Sequence, residues 1–195
     1  MKSASQIISL SITFVLSTNS GLVFAAEKSA DSKTAHYTKL NAKGKAAGDK
    51  VNAARCVIDS QTGLVWELKT DDDSVHDKDN TYRWGGRGAE QSGAIFFDDW
   101  NTLLDATNKE KLCGFNDWRV PTIDELKTLV VVGANPAIDT VFFPLTLPKP
   151  YWSASAYKNY PEHGQTVHFE TGASYYYNGF RGDRLPLRLV RSKTK

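Results

Sequence analysis

Two cysteines, Cys56 and Cys113, lie behind an N-terminus laid out for export, and that combination constrains the fold more than any other feature of the chain. Lys2 supplies a short positive region, Ile7 to Leu16 is rich in apolar residues, and Val23-Phe24-Ala25 ends on a small residue. This is the layout of a secretory signal peptide, residues 1–25, cleaved after Ala25. The apolar stretch falls short of the ~20 residues that a membrane span needs, and Ser17-Thr18-Asn19-Ser20 interrupts it. No cysteine closely follows the cleavage point, which argues against a lipid-anchored lipoprotein. The expected location is periplasmic or secreted. In such an oxidising compartment, compartment logic pairs the two cysteines. The bridge closes a loop of about 57 residues, worth roughly 4 kcal/mol in the loop-entropy picture. The alternative is a catalytic thiol, and the sequence offers it no evident base. Two cysteines also limit any tetrahedral zinc site to two thiolates.

Charge divides the remainder. Residues 26–50 hold six lysines against Glu27, Asp31 and Asp49, with almost no large apolar side chain. Such a stretch buries too little area to offset its ordering entropy and reads as a flexible tether. Residues 51–195 carry 17 Lys and Arg against 19 Asp and Glu, a net of −2. A nucleic-acid-binding domain shows a basic excess instead, so no nucleic-acid partner is expected. Nor is an integral membrane segment expected once the signal is removed. About 145 residues bury roughly two-thirds of their unfolded surface. The chain's five Trp, eight Tyr and nine Phe, most of them in 51–195, provide large apolar bodies, so 51–195 reads as one domain.

Within it, Arg55–Ile58 and Leu64–Leu68 are β-rich runs separated by Asp59-Ser60-Gln61-Thr62-Gly63, a hairpin signal. Trp100, Leu103, Leu104 and Thr107 share one helical face, with Asp98 or Asp99 placed to open the helix. Thr122-Ile123-Asp124-Glu125 is a capping box, followed by the apolar stripe Ile123, Leu126, Leu129 and Val130, and then Gly133. Beyond Pro136 the pattern returns to strands, at 151–156, 166–170, 174–177 and 187–191, with Thr171-Gly172 as a hairpin turn.

These runs contain specific motifs. Cys56-Val57-Ile58-Asp59 followed by Thr62-Gly63-Leu64-Val65-Trp66-Glu67 resembles the entry motif of the Lcl C-terminal domain family. Leu112-Cys113-Gly114, Asp117-Trp118-Arg119-Val120-Pro121-Thr122 and Glu125-Leu126 resemble its central signature. Phe143-Pro144, Tyr151-Trp152-Ser153 and Leu187-Arg188-Leu189-Val190-Arg191 resemble its last third. The resemblance implies a C-type-lectin-like α+β fold, a twisted antiparallel sheet with two flanking helices and neighbouring terminal strands. It also implies an exported bacterial domain, in some members similar to adhesins that recognise host polysaccharide. It brings no general catalytic motif.

Each conspicuous group has a functional and a structural reading. Asp117-Trp118-Arg119-Pro121 reads as structure, with Trp118 in the core and Arg119 forked onto a carboxylate. Asn116-Asp117 lacks the partner motif of calcium-dependent sugar binders. The acidic run from Asp71 to Asp79, through Asp71, Asp73, Asp77 and Asp79, is a weak calcium candidate, because calcium takes six to eight oxygens. A solvated loop is the alternative, and no cofactor is otherwise expected. Arg181-Gly182-Asp183 reads as a turn rather than an integrin ligand. Trp152, Tyr157 and Tyr175 to Tyr177, with Arg181 and Arg184, form the candidate contact surface, and alternation puts Tyr175 and Tyr177 on one face. The ligand-binding set is therefore Trp152, Tyr175, Tyr177, Arg181 and Arg184.

Three function classes follow. One is non-catalytic recognition of a glycan or of an envelope or host protein, as an adhesin would perform it. The rivals are a structural envelope role and an enzyme on the related formylglycine-generating type of fold. The enzyme would need a C-terminal cysteine pair or a histidine metal set, and the sequence has neither. The chain is therefore expected not to be an enzyme.

Overall fold

The computed structural model describes residues 36–48, 53–175 and 179–192. The signal reading, on residues 1–25, lies outside the described residues, as do 26–35 and 49–50 of the tether.

The rest of the tether stretch departs from expectation. Tyr37–Asn41 forms strand β1, antiparallel to β2 (Ala54–Asp59). Leu40 is buried, and the Tyr37 ring meets Phe142 and Phe143 at 5.2 and 5.4 Å. Two anchoring side chains suffice because an existing strand offers the ladder hydrogen bonds. Composition averaged over 25 lysine-rich residues hides them.

The hairpin forms as the turn residues dictate. Asp59 accepts hydrogen bonds from the Gln61 N–H (2.8 Å) and the Thr62 hydroxyl (2.7 Å), and Gly63 takes the left-handed φ of 70° that favours glycine. Strand β3 (Leu64–Glu67) then pairs with β2 on one side and with β7 (Val190–Ser192) on the other. The sheet order is β1-β2-β3-β7, which brings the last strand beside the N-terminal hairpin. All four residues of β3 are buried. Alternation sends Val65 and Cys56 to one face and Val57 and Trp66 to the other, so the sheet carries a separate apolar cluster on each face.

Helix α1 (Asn101–Glu110) belongs to the first cluster through Leu103 and Leu104, with Thr107 buried on the same face. Its start differs from expectation. Trp100 is the cap residue, whose indole has no acceptor for a cap bond, while the Asp99 carboxylate is held by Arg83 at 2.9 and 2.7 Å. Helix α2 (Ile123–Lys127) belongs to the second cluster and has the expected capping box. It is shorter than the apolar stripe suggests. Val130 bridges Ile138 as extended chain, which draws the backbone out of the helix while Leu129 stays buried. A short helical turn, Leu112–Gly114, follows α1, and its Cys113 is disulfide-bonded to Cys56 of β2.

The expected single sheet is in fact two. A second antiparallel sheet, β4-β5-β6, comprises Pro150–Ala156, Gly164–His168 and Ala173–Tyr175. The Trp152 N–H donates to Pro186 and the Ala154 N–H to Pro121, so irregular chain covers the β4 edge and the ladder does not continue into the first sheet. Both His168 carbonyl bonds at the Thr171-Gly172 turn are present. The architecture is α+β, with two antiparallel sheets and few helical residues.

Candidate functional site

Among the described residues, the connection between β4 and β5 builds an exposed aromatic feature. Two tight turns, from the Tyr160 N–H to Tyr157 (3.2 Å) and the His163 N–H to Tyr160 (2.9 Å), fold residues 157–163 back on themselves. The Tyr157 and Tyr160 rings stack at 5.5 Å and 20°. Tyr160 meets His163 edge-on at 5.8 Å, and His163 meets Phe180 at 6.1 Å across an isolated antiparallel bridge. Four rings thus stand in a row, with Tyr160 40% and Phe180 44% exposed. Beneath them, two glycines allow close packing. A Cβ on Gly164 would lie 2.3 Å from the Trp84 ring, and one on Gly179 would lie 2.5 Å from the Trp152 ring. Gly179 therefore serves close packing.

A groove of about 620 Å³ adjoins this row, lined among others by Tyr157, Lys158, Asn159, Gln165, Asp124 and Lys127. Gln165 is oriented by donating to the Ala156 carbonyl at 3.0 Å, and Glu90, on the same wall, accepts the Ala156 N–H at 3.0 Å. The groove thus sets the Tyr157 ring, the near end of the row, beside amide, carboxylate and ammonium groups.

The sequence-based contact set is only partly assembled here. Trp152 is a correction: it is 0% exposed, and its indole N–H donates to the Tyr82 carbonyl at 2.7 Å. Alternation along β4 puts it on the same face as Ala154 and Ala156, inside the first cluster. Arg181 is a second correction, also 0% exposed. Its guanidinium donates to the Ile95 carbonyl at 2.9 Å and lies 4.0 Å over the Trp84 ring, with desolvation lowering its pKa. Both residues support the ring row from behind. With its arginine turned inward, Arg181-Gly182-Asp183 is a turn, closed by the Asp183 N–H on Phe180. Tyr175 ends β6 opposite Thr166, and Tyr177 lies outside the described residues. Arg184 is exposed in a separate polar groove of about 480 Å³, 3.3 Å from Asp99 and donating to the Thr81 carbonyl. Tyr160 and Phe180 were not picked out from the sequence. The available signal was an aromatic residue within the turn-forming run Lys158-Asn159-Tyr160-Pro161.

The acidic run does not gather its oxygens. Asp77 accepts the backbone N–H groups of Asp72, Asp73 and Asp79, while Lys78 clamps Asp71 and Asp79 at 2.6 and 2.7 Å. Among the described residues, no three His, Cys, Asp or Glu side chains converge as a metal set. No helix among them is long and apolar enough to cross a membrane.

A buried charged cluster escaped the sequence reading entirely. Glu67 is fully buried and accepts Lys69 Nζ at 3.0 Å, His76 Nδ1 at 2.6 Å and the Leu189 N–H at 2.8 Å. Arg188, also buried, donates to the Glu67 carbonyl at 2.6 Å and to Thr146 at 2.8 Å. Burial alone would raise the Glu67 pKa, but Lys69, His76 and the Leu189 N–H outweigh it and hold the carboxyl well below its usual range. Elsewhere Arg191 forks onto Asp117 at 2.5 and 3.0 Å, and its hydrogen bonds lower the Asp117 pKa. Arg119 forks onto Glu125 at 2.7 and 2.6 Å.

These motif residues coincide with a known family. The Lcl C-terminal domain matches residues 55–191. The chain belongs to the Lcl C-terminal domain family. No curated protein and no solved structure gives a match. The residues that carry the Lcl resemblance are largely scaffold: Trp66, Glu67, Trp118, Tyr151, Trp152 and Leu187 to Arg191 are all buried. The ring row at 157–163 and 180 lies outside those motifs.

Proposed function

We propose that this Lcl C-terminal domain is an exported, non-catalytic recognition module, adhesin-like in role, that binds glycan along Tyr157, Tyr160, His163 and Phe180. The observation that carries the reading is the exposed ring row beside a polar groove. Sugar rings present apolar C–H faces together with hydroxyls, and aromatic side chains suit the former while amides and charged groups suit the latter. Rigid aromatic rings also lose little entropy on binding. The groove named above balances Glu90 and Asp124 against Lys127 and Lys158, which favours hydrogen bonding to hydroxyls over capture of a strongly charged polymer. The C-type-lectin-like relationship of the fold is part of the same proposal, supported by the return of β7 to the N-terminal hairpin. A non-catalytic role accords with both thiols being tied in one disulfide. Export, to the periplasm or the medium, accords with that disulfide as well.

The test is a glycan array on the mature chain, followed by titration of any bound glycan against Tyr160→Ala and Phe180→Ala. Loss of binding at an unchanged melting temperature is expected. A bound glycan whose affinity neither substitution alters would overturn the assignment of the site, and an array without any bound glycan would overturn the ligand class.

A further inference from the structure

His76 joins three parts of the chain. It sits in the loop 70–80, which is closed by backbone bonds from the Thr70 N–H to His76 (3.0 Å), the Lys78 N–H to Thr70 (2.9 Å) and the Asp77 N–H to Ser74 (3.1 Å). Its Nδ1 meets Glu67 of β3 at 2.6 Å, and its Nε2 meets Glu110, the last residue of α1. The imidazole is 1% exposed.

Hydrogen-bond stoichiometry then decides its protonation. Each carboxylate can only accept, and a neutral imidazole has one N–H, so it cannot satisfy both. Only the imidazolium donates from Nδ1 and Nε2 together. The other groups facing this cluster are Lys69 and the Leu189 N–H on Glu67, Arg188 on the Glu67 carbonyl, Asp77 in the loop itself, and the phenols Tyr82 and Tyr151. After deprotonation Glu67 keeps Lys69 and the Leu189 N–H, and it is sealed from water. Glu110 is 43% exposed and can turn to solvent. The Glu110 bond is the one that breaks.

We propose that His76 is a pH-operated clamp, which pins the 70–80 loop to the C-terminal end of α1 through Glu110 when protonated and frees that end when neutral. Burial opposes the charge, but the two carboxylates outweigh it and raise the His76 pKa above its ordinary 6.5. A raised pKa fixes the direction. The clamp is complete below the ordinary histidine value and is lost as pH rises through the higher value of the folded chain. The inference does not depend on the ligand of the ring row.

Hydrogen exchange of the Thr70, Asp77 and Lys78 amides between pH 5.5 and 9, corrected for intrinsic rates, tests it alongside nitrogen NMR of the His76 ring. Protection is expected to fall in step with His76 deprotonation, by about tenfold for each unit that its pKa exceeds the released value. In Glu110→Gln the amide can donate to neutral Nε2 or accept from the imidazolium, so the profile flattens. If that variant fails to fold, Glu110→Ala takes its place and should show low protection at every pH. A His76 ring that is neutral throughout, wild-type protection that ignores its titration, or a Glu110→Gln profile matching wild type would each overturn the clamp.

Discussion

Removing Glu125 should cost more than loss of a helix cap, because its carboxylate serves two partners. Oε2 accepts the Thr122 N–H at 2.9 Å, completing the capping box, while both oxygens accept from Arg119. Thr122→Ala deletes only the hydroxyl that accepts the Glu125 N–H at 3.3 Å, a loss of about 1 kcal/mol. Glu125→Ala deletes the reciprocal cap bond and leaves Arg119 without its carboxylate. The two side chains are 22% and 38% exposed, so solvent screening confines the pair to about 0.5–1 kcal/mol even in forked geometry. The expected total is about 1.5–2 kcal/mol. Urea denaturation at pH 7 of Thr122→Ala, Glu125→Ala, Arg119→Ala and the Arg119/Glu125 double variant separates the contributions, and the coupling should shrink at about 1 M salt. Burial raises the Glu125 pKa, but Arg119 and the Thr122 N–H lower it further, leaving it below 4.5. The contribution is therefore present above that value and disappears as pH falls through the depressed one. A Glu125→Ala cost no greater than that of Thr122→Ala, with zero coupling to Arg119, would refute the reasoning.

Two further outcomes follow from the core. Reducing the Cys56–Cys113 bridge, or replacing both cysteines by alanine, should lower stability by roughly 4 kcal/mol through the 57-residue separation, and an equilibrium unfolding change under about 1 kcal/mol would contradict the loop-entropy estimate. Glu67→Ala should destabilise by about 3–5 kcal/mol by stranding buried Lys69 and its neighbours, whereas Glu67→Leu/Lys69→Met should recover much of that loss in the same unfolding assay.

Local signals were legible in the sequence wherever the chain itself satisfies them. The β2–β3 hairpin, the capping box and the Arg119 fork involve partners within a few residues, the buried face of α1 shows in its own periodicity, and each stands as read. What was not legible depends on partners far along the chain. Arg83, sixteen residues away, takes the aspartate that was expected to open α1. Strand β1 forms because β2 offers an open edge, which the lysine-rich composition of 26–50 does not express. The same cause hid the charged cluster: Lys69 and His76 are near Glu67 in sequence, but the cluster is completed and sealed by Arg188 and Leu189, more than a hundred positions on.

The candidate site divides along the same line. Arg181 and Trp152 have the composition of a binding surface, but polarity and ring area do not say which way a side chain faces. Arg181 points inward because two backbone carbonyls and the Trp84 and Phe96 rings receive it, and Trp152 because β4 alternates into the core. Tyr160 and Phe180 look weaker in sequence and are exposed, since a turn and an isolated bridge hold them out. The resemblance residues hold the two apolar clusters and the charged cluster together, so they report the fold and are silent on the ligand. On the proposed recognition role, a change of ligand would be written in the exposed rings Tyr160 and Phe180, because neighbouring Gly179 and Arg181 pack on Trp152 and Trp84 and are not free to vary. On that reading, specificity and stability are carried by different residues of the domain.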